Sequence, residues 1–365
     1  MQREGYRSMK KGKYCRQNDR GFFQRFLSGI GKTLAFFLST VVILLATFLA
    51  AVYITVNGPS PSARNLFVMS VKETSAAGFL ADLFLSREQV ESILEVPLDV
   101  GIQTDTTLIS ISETEPQKAN EPDAWGLVDE DGDGIILQRV TGSGYSGYMM
   151  IVQDPKRVIM GCVPEHFYVR GYTVAEMVEQ FDAVAGINAG GFYDPDGSGN
   201  GSIPDSMVVY EGAIYNNSTQ KGFVGFDKNG ILHVGSPTRE EVEAMGIQYG
   251  VCFGPVLIAN GQRVLPDGIV SGLNPRTAIG QRSDGAVLLL VIDGRQVVSL
   301  GATLGDLTDI FLRYGAVNAC NLDGGSSTLM WYQGDYINNC ASVVGIRPVP
   351  TTFLVLKERG SCYEG

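Results

Sequence analysis

One long stretch of this chain is predominantly apolar and carries no charge. Leu34 to Val56 runs for 23 residues with no charge. A helix needs about 20 apolar residues to cross the hydrocarbon core of a bilayer, so the pattern predicts a transmembrane helix over 34–56. A secretory signal is the competing reading, but its apolar core is usually about 7–15 residues. This run is longer, and no clean small-x-small cleavage site follows it. Beyond it, residues 66–96 carry Leu66, Phe67, Met69, Phe79, Leu80, Leu83, Phe84, Val90, Ile93 and Leu94, largely at helical spacing. Ser86-Arg87-Glu88-Gln89 reads as a helix start within a helical stalk. Two later stretches repeat every three to four residues. One is Val174, Met177, Val178 and Phe181, behind a Thr173 cap with Glu176 three residues on. The other is Leu304, Leu307, Ile310, Phe311 and Tyr314.

Short apolar runs predict buried strands at Ala183–Ile187, Ala286–Ile292, Ala316–Leu322 and Thr351–Leu356. Tyr148–Val152 and Arg157–Met160 read as strands joined by a turn at 153–156. Phe223–Phe226 with Ile231–Val234 gives a hairpin signal around Asp227-Lys228-Asn229-Gly230. Cys252–Ala259 with Gln262–Leu265 gives another around Asn260-Gly261. Helices and strands mix with no regular βαβ period, which predicts an α+β class with a mixed sheet and packed helices. The expected organisation is a basic tail (1–33), a membrane helix (34–56), a linker and stalk (57–120) and one catalytic domain (121–365).

Charge sharpens the membrane reading. Nine of the 28 Lys and Arg residues, but only two of the 39 Asp and Glu, lie in residues 1–32, so the rest of the chain carries a net −18. The basic end is expected to stay in the cytoplasm and the acidic bulk to lie outside. Such an acidic outer domain argues against nucleic acid or anionic membrane surfaces as partners. Only two histidines occur, His166 and His233, with no neighbouring Cys or His at ligand spacing. That disfavours a zinc site or a Ser-His-Asp triad. Six cysteines occur, five of them beyond the apolar run, and their spacing gives no disulfide framework. Asp129-Glu130-Asp131-Gly132-Asp133-Gly134 begins like a calcium loop. Val140 stands where the bidentate Glu belongs, so an acidic hairpin turn is the preferred reading. No metal and no cofactor is expected.

The candidate chemistry sits at the ends of the predicted strands. Gly315 to Met330 reads GAVNACNLDGGSSTLM. A short apolar run ends in Asn321 and Asp323, and Gly324, Gly325, Ser326, Ser327 and Thr328 follow. Two glycines allow a sharp turn there, whose amides can form a concave array for an anion. Asn188-Ala189-Gly190-Gly191 follows another small apolar run. Arg276 opens the strand region before Ala286–Ile292, which ends in Asp293-Gly294-Arg295, with Thr303 nearby. Asp323 and Asp293 are the candidate catalytic carboxylates, each followed by glycine. Asp293 also reads as a plain Asp-Gly turn, and Asp194 more readily as a turn than as a catalyst. Arg276 and Arg295 present paired donors that match phosphate oxygens, although Arg295 could equally sit in a structural ion pair. Asn188 and Asn321 can orient hydroxyls or a carboxylate. Gly190, Gly191, Gly324 and Gly325 let backbone amides approach phosphate, and Ser326, Ser327 and Thr303 add hydroxyls. Trp331 and Tyr332 offer either sugar stacking or core packing.

In order and spacing these segments resemble the phosphodiester glycosidase family, whose namesake removes N-acetylglucosamine from a phosphodiester and whose bacterial members are often described as exopolysaccharide-related. The resemblance covers roughly residues 120–357, with the motifs inside 186–330. It implies cleavage of a carbohydrate phosphodiester at the glycosidic bond, giving free sugar and a phosphomonoester. The implied protein is a membrane-anchored, extracytoplasmic hydrolase acting on a cell-surface or exopolysaccharide-type substrate. Which Asp is acid and which is base or nucleophile stays open. The alternative is a non-catalytic module that binds such a polymer during assembly or export. One departure stands out: two glycines precede the serines where three are common in the family.

Overall fold

The computed structural model describes residues 18–74, 77–94, 101–111, 120–194, 199–216, 222–266, 271–342 and 345–357. Most of the basic tail, part of the expected linker at 95–100 and 112–119, residues 195–198 of the Asp194 turn, and Cys15 and Cys362 lie outside them. The chain divides into two compact units at Pro59/Ser60.

In the first unit, helix α1 spans Asn18–Asn57. Its portion Gln24–Asn57 is long and apolar enough to cross a membrane, by length and composition. The predicted span 34–56 lies inside it. Length and composition suit a membrane span or a signal sequence alike.

The second unit begins with three short helices, α2 (Pro61–Lys72), α3 (Phe79–Asp82) and α4 (Arg87–Leu94). They bury Val68, Ala81 and Val90 among themselves. The Ser86 start holds: Ser86 N–H donates to Gln89 Oε1 (2.9 Å) and Gln89 N–H to Ser86 Oγ (3.3 Å). These residues belong to the same compact unit as everything after them. Ser70 Oγ accepts from Leu273 N–H, and Glu73 reaches residues 272–276.

Three antiparallel sheets form the rest. The largest has seven strands in the order Ile135–Gly142, Tyr145–Val152, Val287–Ile292, Arg276–Arg282, Ala316–Asn321, Val256–Ala259 and Gln262–Arg263. The second orders Asp335–Tyr336, Met330–Tyr332, Ala183–Asn188, Thr352–Leu356 and Val158–Gly161. The third orders Ala213–Tyr215, Val208–Tyr210, Ile247–Cys252, Phe223–Asp227 and Leu232–Gly235. Two further helices, α5 (Val174–Gln180) and α6 (Arg239–Ala244), start on capping boxes at Thr173 and Thr238.

The interior strand Val287–Ile292 is apolar at every position because it has a core on each face. Val287, Leu289 and Val291 join the core shared by all three sheets. Leu288, Leu290 and Ile292 face a second core, roofed by α7 (Leu304–Arg313) through Leu304, Leu307, Ile310 and Phe311. Side chains alternate faces along a strand, so two cores require an unbroken apolar run. A Cβ on Gly280 would lie 2.9 Å from the Phe311 ring and 2.8 Å from Asn318 O. The missing side chain is what lets α7 sit directly on the sheet.

Two pairings differ from expectation. Tyr145–Val152 and Val158–Gly161 do not pair with each other but enter different sheets. The predicted strand Cys252–Ala259 is broken at 253–255, because Pro255 has no amide hydrogen to continue a ladder. Cys252 therefore ends one strand and Val256 begins another in a different sheet. The acidic turn leads into Ile135–Gly142 but is no hairpin among the described residues, because that strand pairs with Tyr145–Val152 through its other end. Buried Asp129 accepts from Gly132 N–H (2.8 Å) and Gly134 N–H (2.9 Å). Carboxylate oxygens of Asp129, Asp131 and Asp133 lie within 4.8 Å of one another, the one group of acids among the described residues spaced for a metal ion.

Candidate active site

Strand ends of the first two sheets meet around a cleft of about 480 Å³. Its lining includes Arg276, Arg295, Gly191, Asn321, Asp323, Gly324, Gly325, Ser326 and Ser327. The 276, 295, 321 and 323 motifs, far apart in sequence, therefore converge.

Asn321 and Asp323 come from the end of Ala316–Asn321. Ala278 pairs with Asn321 across the ladder, which sets the end of that strand beside the start of the Arg276 strand. Asn321 is buried, and its Nδ2 donates to Gly254 O (2.8 Å). Its Oδ1 is a buried acceptor with no hydrogen-bond partner. An orphaned acceptor costs about 1–3 kcal/mol, and this one belongs to a cleft-lining residue. The turn after Asp323 is held by its own amides. Those of Asp323, Gly325, Ser327 and Thr328 donate to Ala189 O, Pro275 O, Gly324 O and Gly325 O. Gly324 and Ser326 keep amides with no such partner among the described residues. Gly325, at φ 62°, lies under the Arg295 guanidinium, whose Nη2 would stand 3.3 Å from an added Cβ. Gly191 has a similar reason to lack a side chain: a Cβ there would come within 2.7 Å of Asp205 Oδ2.

The guanidinium groups differ in their partners. Arg276 is buried. Its Nη2 donates to Glu73 Oε2 (2.7 Å) and Gly272 O (2.7 Å), and its Nε to Ala302 O (3.1 Å). Arg295 donates to Asn274 Oδ1 at 3.3 Å and forms no ion pair among the described residues. Burial, then the neighbouring charge of Arg276, push its pKa below the ordinary arginine value, and Glu73 opposes them. A desolvated cation beside another cation favours an anionic ligand. Its φ of 57° places it in a backbone region that non-glycine residues seldom occupy.

Several residues in the cleft were not legible as site residues. Arg347 pairs with Asp194 Oδ2 (2.7 Å) and reaches Ser326 Oγ (3.4 Å). Glu73 accepts from Arg276, from Asn274 Nδ2 (2.8 Å) and from Gly272 N–H (3.0 Å). Asp194 and Asp205 also line the cleft. No glycine lies beside Glu73, and Arg347, although Gly345 and Pro348 flank it, does not end a predicted strand. Pro195 and Gly197 near Asp194 read as turn chemistry alone.

The other candidates lie outside the cleft lining. Asp293 is buried and outside the cleft lining. Its Oδ1 accepts from Asn339 N–H (2.9 Å) and Asn338 Nδ2 (3.2 Å), and its Oδ2 from Asn339 Nδ2 (3.0 Å). Asn188 is fully buried. Its Oδ1 accepts from Thr277 Oγ1 (2.8 Å) and Leu329 N–H (3.1 Å), and its Nδ2 donates to Asp323 O (2.6 Å). It staples the first sheet to the second and fixes the Asp323 turn. Thr303 caps α7, donating to Asp306 Oδ2 (2.6 Å). The amide of Gly190 donates to Thr351 Oγ1 (3.0 Å). Trp331 packs edge-on against Tyr336, and neither Trp331 nor Tyr332 lines the cleft.

Residues 181–356 match the family model described as phosphodiester glycosidase, which bears out the resemblance of the motifs over that span. The chain is 31% identical over 179 residues to the SPbeta prophage-derived uncharacterized protein YomE of Bacillus subtilis strain 168. The match covers 46% of this chain and 27% of that protein, so the chain spans about a quarter of that relative's length. Among solved structures, it is similar to the zebrafish N-acetylglucosamine-1-phosphodiester alpha-N-acetylglucosaminidase catalytic domain auto-inhibited by pro-peptide. There the TM-score is 0.51 at 20% identity, over 62% of this chain and 82% of that one. It is likewise similar to a hypothetical protein from Synechocystis, with a TM-score of 0.50 at 17% identity, over 60% and 62%. At these identities the likeness concerns the fold, which is α+β in all described parts of the second unit.

Proposed function

We propose that this phosphodiester glycosidase domain hydrolyses a glycosyl 1-phosphodiester of the N-acetylglucosamine-α-1-phosphodiester type. The anomeric C–O bond breaks, water adds at the anomeric carbon, and the phosphate leaves as a monoester. The observation that carries the reading is a single cleft holding Asp323 together with three guanidinium groups, one of them without a carboxylate partner among the described residues. Arg295, with Arg276 and Arg347, binds the phosphate. Stabilising the charge that grows on the leaving phosphate contributes more to the transition state than to the ground state. Asp323 acts at the anomeric centre as base or nucleophile. Asn321 Oδ1 accepts a hydroxyl of the sugar. The second carboxylate comes from the cleft, from Asp194, Asp205 or Glu73, while Asp293 holds the 338–339 loop. Helix α1 anchors the enzyme in a membrane with the domain outside the cytoplasm, on a cell-surface or exopolysaccharide-type substrate. A non-catalytic polymer-binding module would use the arginines but leave the Asp323 carboxylate without a task.

Glu73 takes the seat that substrate phosphate needs on Arg276. The zebrafish domain is described as auto-inhibited by its pro-peptide, and we read α2 in the same sense: a segment preceding the matched domain covers the anion site with its own carboxylate. Glu73→Ala is expected to tighten inhibition by inorganic phosphate by about tenfold, one ion pair's worth of competition, and to raise kcat/KM. A fall in kcat of about a hundredfold or more instead would make Glu73 the general acid. Steady-state kinetics with phosphate as competitor decides between them.

A further inference from the structure

Loops that carry cleft residues also carry apolar side chains left exposed among the described residues. The loop after Arg295 closes in a two-residue turn: Gln296 N–H donates to Ser299 O (2.9 Å) and Ser299 N–H to Gln296 O (3.1 Å). Its tip is Val297-Val298, 101% and 81% exposed, followed by Leu300 at 55%. Turn tips ordinarily carry Gly, Asn, Asp or Pro, whose conformations suit a turn. Two adjacent β-branched side chains are out of place there unless something apolar receives them. The tip is also held firmly. Ser299 Oγ donates to Asp293 O (2.6 Å) and accepts from Ser146 N–H (3.0 Å), and Leu300 N–H donates to Gly144 O (2.8 Å). Two other loops carry less exposed apolar side chains, Tyr193 (61%) beside cleft residue Asp194 and Ile346 (42%) beside cleft residue Arg347.

We propose that these loops form a rim that dips into the interface of a lipid bilayer, and that the phosphodiester drawn into the cleft carries a membrane lipid as its alcohol. The proposal rests on the glycosidase reading above and on α1 crossing a membrane. Chain length supports it whatever the orientation of the two units. Asn57 ends α1 and Pro61 begins α2, a 12-residue helix that leads directly to Glu73 in the cleft. Only residues 58–60 separate the end of α1 from the start of α2. A soluble glycan or a glycoprotein would need neither this tether nor an uncharged tip. An amphipathic element at the interface needs apolar side chains on one side and no buried charge, which Val297, Val298 and Leu300 supply.

The full chain, reconstituted in phosphatidylcholine vesicles, tests this in two ways. First, Val298→Trp is compared with Lys228→Trp, placed on an exposed turn that bears no cleft residue, using phosphatidylcholine brominated on its acyl chains. Quenching of Val298→Trp at least twofold beyond the Lys228→Trp control is the expected result. Equal quenching would overturn the rim contact even if the glycosidase activity stands. Second, the hexadecyl and methyl esters of N-acetylglucosamine 1-phosphate are compared. The double substitution Val297→Asp/Val298→Asp should cut kcat/KM at least tenfold for the vesicle-borne hexadecyl ester and leave the methyl ester within twofold. Equal effects on both esters, or none on either, would contradict a lipid-borne substrate. Failure of the unsubstituted chain on both esters would count against the glycosidase reading and with it the lipid alcohol, while the quenching result judges the rim contact separately.

Discussion

Asp323→Asn in the full chain should lower the turnover of a glycosyl phosphodiester by about a thousandfold or more while leaving ligand binding within several-fold. The size follows from the task. A carboxylate that attacks or activates water at an anomeric carbon acts chiefly in the transition state, so its loss falls on kcat. Asparagine keeps the shape and an acceptor oxygen. The turn itself is fixed by Asp323 N–H on Ala189 O and by Asn188 on Asp323 O, both main-chain contacts that the substitution leaves in place. Released reducing sugar measures turnover, and calorimetry with the ligand measures binding. A binding module would give no turnover with either side chain. A variant that keeps more than a tenth of the parent rate would remove Asp323 from the chemistry.

Asp293→Ala should act on stability first. Three donors converge on that buried carboxylate: Asn338 Nδ2, Asn339 N–H and Asn339 Nδ2. Removing it strands them in the interior, at about 1–3 kcal/mol for each donor left unsatisfied. A loss of about 3 kcal/mol or more is expected, which for a unit of this size lowers Tm by roughly 5 °C or more. Asn338 also donates to Thr328 O and accepts from Met330 N–H, so the loosened loop adjoins the Ser326–Thr328 turn. Calorimetry of Asp293→Ala and Asp293→Asn separates this from a catalytic role. A structural carboxylate gives a lower Tm, less so for Asn, with kcat reduced in proportion to the lost fold. A catalytic one gives near-zero kcat in a protein of unchanged Tm.

The two acids show what a sequence can disclose. Both end apolar strands and both precede glycine, and the pattern is the same whether the side chain turns outward or folds back beneath a loop. The partners that hold Asp293 come from Asn338 and Asn339, 45 residues or more away, and nothing local announces them. Glu73 and Arg347 escaped notice for the same reason. One sits at the end of a stalk-like helix some 200 residues from Arg276, and the other in a loop punctuated by Gly345 and Pro348 that ends no predicted apolar strand. Elements with local causes were legible. Thr173 with Glu176 forms its capping box, and α7 shows its apolar stripe at Leu304, Leu307, Ile310 and Phe311. The continuous run Ala286–Ile292 signalled a buried strand. Which strands would pair was not legible, because pairing depends on residues that face each other only after folding. That is why Tyr145–Val152 and Val158–Gly161 part into separate sheets.

The central claim is that the bond broken lies between the anomeric carbon and oxygen, in a cleft where guanidinium groups hold the departing phosphate. Hydrolysis of methyl N-acetylglucosamine-α-1-phosphate by the reconstituted chain in ¹⁸O-enriched water tests it most directly. The account predicts label in the released sugar and none in methyl phosphate. Label in a phosphate product, or no hydrolysis of any glycosyl phosphodiester, would contradict it.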